Sequence, residues 1–269
     1  MSASLRILFD VLSFRLRRLE MANMVSAGAI MWALHVPLVW EGVVRLAFVL
    51  ALNVLVYLNN DYHDLEEDLN ATGRERERTQ FLADHRAAAL GAQVLLAGVL
   101  LAFALWWGGQ LWRPLIFGGG VCWLYSALLK RRPFVDIVAM IVWGATMPMV
   151  GVVDDSTVSW MLLAQLGLFS GVFESIQVLR DHDEDALAKV RTTAVVLGPG
   201  AMTWVIRAML LAVACFAGLA FHPLASVGPV VAMLVPPSSV KTTRYWNVIR
   251  ILLGLTFVGE CALVFLAGA

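Results

Sequence analysis

Apolar residues fall along this chain in nine long stretches that are separated by short polar connections. A helix that crosses the hydrocarbon core of a bilayer, about 30 Å thick, needs about 20 mostly apolar residues. The pattern therefore predicts an all-α, polytopic membrane protein with about nine transmembrane helices and a single domain over residues 1–269. The predicted segments are 21–40, 43–60, 87–107, 111–129, 135–153, 158–179, 201–221, 224–235 and 248–267.

Two stretches depart from this regular pattern. Segment 224–235 is short and is bounded by proline on both sides, so it is predicted either to span at a tilt or to re-enter the membrane. Residues 1–20 contain several arginines and are followed by no small-residue cleavage site, which argues against a cleaved signal peptide. We therefore expect residues 1–20 to form an amphipathic lead-in at the cytoplasmic membrane surface.

The composition agrees with a lipid environment and excludes two other classes of protein. Hydrophobic residues make up 60% of the chain and charged residues 15%, whereas disordered chains are charged and poor in apolar residues. The formal net charge is zero, so the basic excess of a nucleic-acid-binding protein is missing. The 3 cysteines all lie inside apolar stretches, where they act as small hydrophobic residues rather than disulfide partners or zinc ligands.

The basic residues predict the orientation of the helices. Most of the 20 Lys and Arg residues lie in alternate connections, on the side of the N-terminus, whereas Arg45 and Arg113 lie on the other side. Because basic loops remain in the cytoplasm, we expect a plasma-membrane or inner-membrane protein whose N-terminus and acidic loops face the cytoplasm.

A first acidic cluster closes the second segment, where residues 60–68 read NDYHDLEED. On a helix with 100° per residue its three aspartates fall within about 60° of one another. The same polar face continues back into the predicted membrane segment. Its members are Asn53, Tyr57, Asn60, Asp61, Asp64 and Asp68.

A second acidic cluster closes the sixth segment, where residues 180–185 read RDHDED. Asp181 and Asp185 are four residues apart and share one helix face, which Glu174 and Gln177 extend into the segment. The alternative interpretations are a solvated acidic loop for the first cluster and simple pairing with neighbouring basic residues for the second. Glu174 is either a functional carboxylate or a helix-packing partner of Gln177.

Carboxylates repel one another unless a cation lies between them. Mg²⁺ prefers oxygen ligands and typically takes one or two carboxylates together with phosphate oxygens. The two clusters therefore predict two Mg²⁺ ions that hold a diphosphate, which becomes a good leaving group when metal ions neutralise its charge. The predicted metal ligands are Asp61, Asp64, Asp68, Asp181 and Asp185.

These residues resemble the motifs of a known family. Residues 60–68 match N-D-x-x-D-x-x-x-D, residues 181–185 match D-x-x-x-D, and residues 191–198 match R-T-x-x-V-x-x-G. Both acidic motifs and the predicted helix arrangement are similar to the UbiA superfamily of intramembrane prenyltransferases over almost the whole chain.

The resemblance implies a fold of nine helices around a central cavity and a Mg²⁺-dependent reaction. A prenyl group would pass from a polyprenyl diphosphate to a lipophilic, usually aromatic, acceptor within the bilayer. Asp64, Asp181 and Lys130 would then be catalytic. The residues expected to bind the diphosphate or the prenyl chain are Asn53, Tyr57, Asn60, Arg78, Tyr125, Lys130, Arg131, Gln177 and Arg191.

The chain departs from the family pattern in two places. The spacing from Tyr125 to Lys130 is one residue longer than the family's Tyr-x-x-x-Lys element. No Arg-Pro pair follows the first motif, so Arg78 is assigned to the diphosphate as a substitute, against the alternative of a solvated mixed-charge loop. Lys130 and Arg131 have the alternative role of a simple topology signal.

Two other functions remain open at this stage. A membrane terpene cyclase would use the same metal and diphosphate site without an external acceptor. A cation-coupled transporter would use the acidic stripes as an ion path, although transporter sites typically lie near the membrane midplane between broken helices.

Overall fold

The structure is a computed structural model that describes residues 2–18, 20–37, 39–69, 74–236 and 243–268, without the side chains of residues 67, 68, 74 and 75. These residues form helices and connections and contain no β-strand. The helices are α1 Ala3–Arg17, α2 Ala22–Ala33, α3 Trp40–His63, α4 Leu65–Asp68, α5 Arg74–Asp84, α6 Arg86–Trp107, α7 Pro114–Leu129, α8 Val135–Gly151, α9 Thr157–Arg180, α10 His182–Leu187, α11 Thr193–Ala220, α12 Pro223–Leu234 and α13 Thr243–Ala267.

Each predicted apolar segment coincides with a helix, but the helices differ in length. Among the described residues, the 5 helices α3, α6, α9, α11 and α13 are long and apolar enough to cross a membrane. Helices α7, α8 and α12 are apolar but shorter, and α2 has only 12 residues. The all-helical architecture is therefore confirmed, and among the described residues 5 helices rather than nine are long and apolar enough to cross a membrane.

Local backbone chemistry explains where three boundaries differ from the predicted ones. Helix α2 ends at Ala33, because His35 adopts a positive φ of 55° and Pro37 cannot continue the hydrogen-bond ladder. Helix α3 ends at His63, where acidic side chains oppose the helix dipole. Helix α11 begins earlier than predicted, at Thr193, and is interrupted at Gly198 with φ 78°.

Helix α9 is the most enclosed of the long helices, and the largest apolar cluster surrounds it together with α11 and α13. Helices α8 and α9 approach each other closely at Gly144, where an added Cβ would lie 2.2 Å from the Ser170 Cβ. Small residues of this kind let helix backbones pack without a gap in a membrane. Helix α9 therefore has a fixed position, and the acidic cluster at its end is fixed with it.

Helix α1, the predicted lead-in, packs against α3 and α6. Ile7 and Val11 are buried in this contact, whereas Leu5, Phe9 and Leu16 are exposed. The helix thus has one apolar face buried against the bundle and further apolar side chains that are exposed.

We call the end of the bundle at which α3 and α9 terminate the motif end, and the opposite end the far end. Arg45 lies at the far end and is only 1% exposed. Its guanidinium donates hydrogen bonds to the carbonyl oxygens of Val150 at 2.8 Å and Val152 at 3.0 Å and forms an ion pair with Glu41. Because these carbonyls lie where α8 ends, Arg45 ties α8 to the start of α3.

A second polar contact lies inside the bundle, between α9 and α13. The amide nitrogen of Gln165 donates to the Glu260 carboxyl at 2.8 Å, and both residues are fully buried. A hydrogen-bonded pair is the usual state of polar groups that have left water, so this contact fixes the relative position of the two helices.

Candidate active site

Among the acidic side chains of the first cluster that the structure describes, Asp61 is the most enclosed, with 3% exposure. It lies in the last turn of α3, and each of its carboxylate oxygens contacts a guanidinium. Arg15 of α1 binds Oδ1, and Arg78 of α5 binds Oδ2 at 2.8 Å. The predicted residue Arg78 therefore lies at the first motif, and Arg15 joins it there without having been predicted.

Asp64 is the C-cap residue of α3 and contacts the end of α7. The Lys130 ammonium lies 2.9 Å from Asp64 Oδ1, and the Asn60 amide donates to Asp64 Oδ2 at 3.0 Å. The Ser126 hydroxyl in turn donates to the Asn60 side chain at 3.4 Å. Three predicted site residues, Asn60, Asp64 and Lys130, are thus in direct contact although Lys130 is 66 residues from Asp64.

Tyr57 and Asn53 continue the polar face of α3, but their polar atoms have protein partners. The Tyr57 hydroxyl donates to the Glu20 carbonyl at 2.5 Å, and its ring lies 4.4 Å from the Arg15 guanidinium. Asn53 is fully buried, donates to the Val49 carbonyl at 2.9 Å and accepts from Asn23 at 3.3 Å. Asn53 therefore links α3 to α2.

The charge on Arg15 is stabilised by its neighbours. Burial lowers the pKa of this guanidinium, but the Asp61 and Glu20 carboxylates outweigh burial and hold the pKa above its usual value. Arg15 Nη1 lies 2.6 Å from Glu20. A cation of α1 is thus permanently present beside the first motif.

The second cluster lies at the end of α9. Asp181 ends this helix and accepts hydrogen bonds from the Arg180 guanidinium, the shorter of 2.9 Å. The Asp185 amide donates to the Asp181 carbonyl at 2.9 Å, so the two aspartates are one helical turn apart, as predicted. The Thr192 hydroxyl donates to Asp185 at 3.2 Å.

Four further predicted site residues are Gln177, Arg131, Arg191 and Asp68. Gln177, Arg131 and Arg191 have exposed side chains at the motif end. The side chain of Asp68 lies outside the described part of the chain, so its predicted metal-binding role is carried forward as a prediction.

The end of α7 contacts both of the helices that carry the clusters, α3 and α9. Lys130 binds Asp64 of the first cluster, and the Tyr125 hydroxyl donates to buried Glu174 at 2.7 Å. Glu174 precedes Asp181 by seven residues on α9, which is about two helical turns. The C-terminal parts of α3 and α9 therefore both contact the end of α7.

A model of the UbiA prenyltransferase family matches residues 22–252. The chain belongs to the UbiA prenyltransferase family. The predictions of this family and of a prenyltransferase are therefore confirmed, and the assignment argues against the transporter alternative. No curated protein matched the sequence.

Solved structures of the UbiA fold are similar over nearly the whole chain. A UbiA homologue from Archaeoglobus fulgidus, in a structure bound to GPP and Mg²⁺, is 14% identical with a TM-score of 0.72, covering 98% of this chain and 99% of that one. A structure concerned with digeranylgeranylglyceryl phosphate synthase is 12% identical with a TM-score of 0.71, and the match covers 97% of this chain and 99% of that one. The apo structure of a UbiA homologue from Aeropyrum pernix K1 is 16% identical with a TM-score of 0.63, and the match covers 92% of this chain and 95% of that one. At these identities the similarity shows a shared fold.

The donor chemistry of this UbiA family member suits Mg²⁺. Across the described residues, no three carboxylate, imidazole or thiol groups lie close enough together to enclose a metal ion by themselves. Mg²⁺ does not need such a cage, because it commonly keeps water and phosphate oxygens beside one or two carboxylates. Lys130 on Asp64 and the guanidinium groups on Asp61 show that both carboxylates attract cations.

One buried carboxylate beside the site was not predicted to take part in it. Asp136, at the start of α8, is fully buried and accepts hydrogen bonds from the backbone amide of Thr193 at 2.8 Å and from the Thr193 hydroxyl. The Thr193 hydroxyl also accepts from the Phe134 amide at 2.6 Å. This contact joins the connection after Lys130 to the connection after Arg191. A lone carboxylate within an apolar segment was the available signal in the sequence.

Asp136→Asn is expected to lower the free energy of unfolding by about 1–3 kcal/mol, because the amide group replaces an oxygen that accepts buried hydrogen bonds. Thermal unfolding of the purified protein in detergent measures this effect. Asp84→Asn, at an exposed position of α5, is the matched control and should leave the unfolding temperature unchanged. Equal unfolding temperatures for the two variants would contradict the assignment.

Proposed function

We propose that this UbiA family member transfers a prenyl group from a polyprenyl diphosphate to a lipophilic, usually aromatic, acceptor within the membrane. The observation that carries the proposal is the position of the α7 end, where Lys130 binds Asp64 and Tyr125 binds Glu174. One short segment thereby supports the ends of both motif-bearing helices, α3 and α9. The GPP and Mg²⁺ bound to the Archaeoglobus homologue support the same chemistry here.

The proposed Mg²⁺ ligands are Asp64, Asp181 and Asp185, together with Asp68. When bound, Mg²⁺ neutralises the charge that develops on the diphosphate as its bond to the prenyl carbon breaks. The protein supplies further positive charge to the leaving group from Lys130, whose ammonium is already held at the site by Asp64. The exposed side chains of Arg131 and Arg191 are also assigned to binding of the diphosphate.

The wall of the site excludes water from the breaking bond. Tyr125 is buried, and its hydrogen bond to Glu174 keeps the phenol in one orientation at the end of α7. An aromatic face in such a position attracts the positive charge that develops on an allylic carbon. On α3, we assign Tyr57, Asn53 and Asn60 to the same wall of the site.

The membrane location is part of the proposal. We infer a cell-membrane protein that acts as one unit over residues 1–269, with the motif end in the cytoplasm. The basic connections support this orientation, because positively charged loops remain on the cytoplasmic side.

Incubation of the purified protein with a panel of prenyl diphosphates, Mg²⁺ and a membrane lipid extract tests the function, with mass spectrometry of the products. We expect diphosphate release together with a prenylated acceptor, and we expect both to fall to background when EDTA removes Mg²⁺. Full activity in EDTA, or no product with any prenyl diphosphate, would contradict the proposal. A hydrocarbon formed without an acceptor would instead identify a terpene cyclase.

A further inference from the structure

The N-terminal helix α1 lies before residue 22, where the match to the UbiA family begins. Its last turn nevertheless reaches the first aspartate motif. Arg15 contacts Asp61, and its guanidinium lies over the ring of Tyr57, one turn earlier on α3. The Tyr57 hydroxyl binds the carbonyl of Glu20, just after α1. The lead-in is therefore attached to the motif by an ion pair, a ring contact and a hydrogen bond.

Arg78 is held from two sides, and one of them belongs to α1. Its Nη1 lies 2.8 Å from Asp61 Oδ2, and its guanidinium lies 4.0 Å from the centre of the Phe14 ring. Phe14 and Arg15 are consecutive residues of α1. Helix α1 thus contacts Arg78 directly through Phe14 and indirectly through the chain of contacts from Arg15 to Asp61.

Each carboxylate oxygen of Asp61 is in contact with a guanidinium, Oδ1 with Arg15 and Oδ2 with Arg78. The arginines have hydrogen-bonding capacity to spare. Within the described part of the chain, the Nε atoms of Arg15 and Arg78 are buried and have no hydrogen-bond partner. A buried guanidinium donor without an acceptor is costly, and a phosphate oxygen is the acceptor that a planar guanidinium fits well.

We propose that α1 is a working part of the diphosphate-binding site, in which Arg15 is a positioning residue. Arg15 fixes Asp61, and Asp61 together with Phe14 fixes Arg78 where its free donors meet the diphosphate. Asp61 then holds arginine rather than Mg²⁺. This inference rests on the proposed function and goes beyond it, because it assigns a site residue outside the part of the chain that matches the family.

The experiment measures binding of geranyl S-thiolodiphosphate, an inert analogue of a prenyl diphosphate, to the full-length protein in detergent at fixed Mg²⁺. Arg15→Gln is expected to raise the dissociation constant of the analogue about tenfold, as disruption of a coupled network does. Arg17→Gln removes the same charge from the exposed side of the same helix and should change it less than about twofold. Equal effects of the two substitutions would overturn the proposal.

A double-mutant cycle tests whether Arg15 acts through Asp61. Asp61→Asn should weaken analogue binding as Arg15→Gln does, and the double variant should be no weaker than Asp61→Asn alone. Additive losses would overturn the positioning role. The Mg²⁺ concentration that gives half-maximal activity should stay unchanged in Asp61→Asn, whereas a large increase would return Asp61 to the metal ligands.

Two controls keep these outcomes distinct. If Arg15→Gln does not fold, as judged by size-exclusion chromatography, Phe14→Leu decides the question, because it removes only the ring beside Arg78. Unchanged analogue binding by Phe14→Leu would then overturn the proposal. Failure of the unsubstituted protein to bind the analogue would contradict the proposed function itself rather than the role of α1.

Discussion

Asp64→Asn is expected to lower the rate of prenyl transfer at least about 100-fold, because the substitution removes the charge that a Mg²⁺ ligand must supply. The protein should still fold, since asparagine has the size of aspartate and keeps one oxygen for a hydrogen bond. Asp181→Asn should have a similar effect from the end of α9. A steady-state assay of diphosphate release over a range of Mg²⁺ concentrations measures the loss.

The matched control is Asp183→Asn, which lies beside Asp181 in the sequence but has an exposed side chain paired with His182. It should retain the activity of the unsubstituted protein. Asp64→Asn or Asp181→Asn with full activity and unchanged Mg²⁺ dependence would remove the metal site from the mechanism. Equal losses in all three variants would show that the assay responds to acidic charge in general.

A second large effect is expected at the far end of the bundle. Arg45→Met should lower the free energy of unfolding by about 3 kcal/mol. The substitution keeps most of the side-chain volume but leaves the buried carbonyls of Val150 and Val152 without their charged donor. Thermal unfolding in detergent, followed by size-exclusion chromatography, measures the loss. The protein that remains folded should keep its Mg²⁺ dependence, because Arg45 lies about 24 Å along α3 from Asp61.

Arg113→Met provides the comparison for Arg45→Met. Arg113 also lies at the far end and pairs with exposed Asp155, whose pKa it holds below the usual value through a hydrogen bond. Ion pairs in contact with water contribute little to stability, so this variant should unfold at nearly the temperature of the unsubstituted protein. A larger loss for Arg113→Met than for Arg45→Met would show that burial is not the deciding factor.

The amino-acid sequence by itself determined the membrane environment, the approximate positions of the apolar helices and the two acidic motifs. These properties are local. The length of an apolar stretch decides whether it suits lipid, and residues four apart such as Asp181 and Asp185 share a helix face in any fold. Helix α2 ends earlier than predicted, at Ala33, whereas α3 extends beyond its predicted segment at both ends, from Trp40 to His63, because helix ends depend on single backbone positions.

Only the tertiary structure decided the partners of the motif residues. Arg15 reaches Asp61 across 46 positions, Tyr125 reaches Glu174 across 49, and Asp136 reaches Thr193 across 57. Periodicity carries no information about such pairs, because it describes one helix at a time. Which face of one helix meets which face of another is set by packing of the whole bundle, and that packing turned an arginine of the lead-in into a neighbour of the first motif.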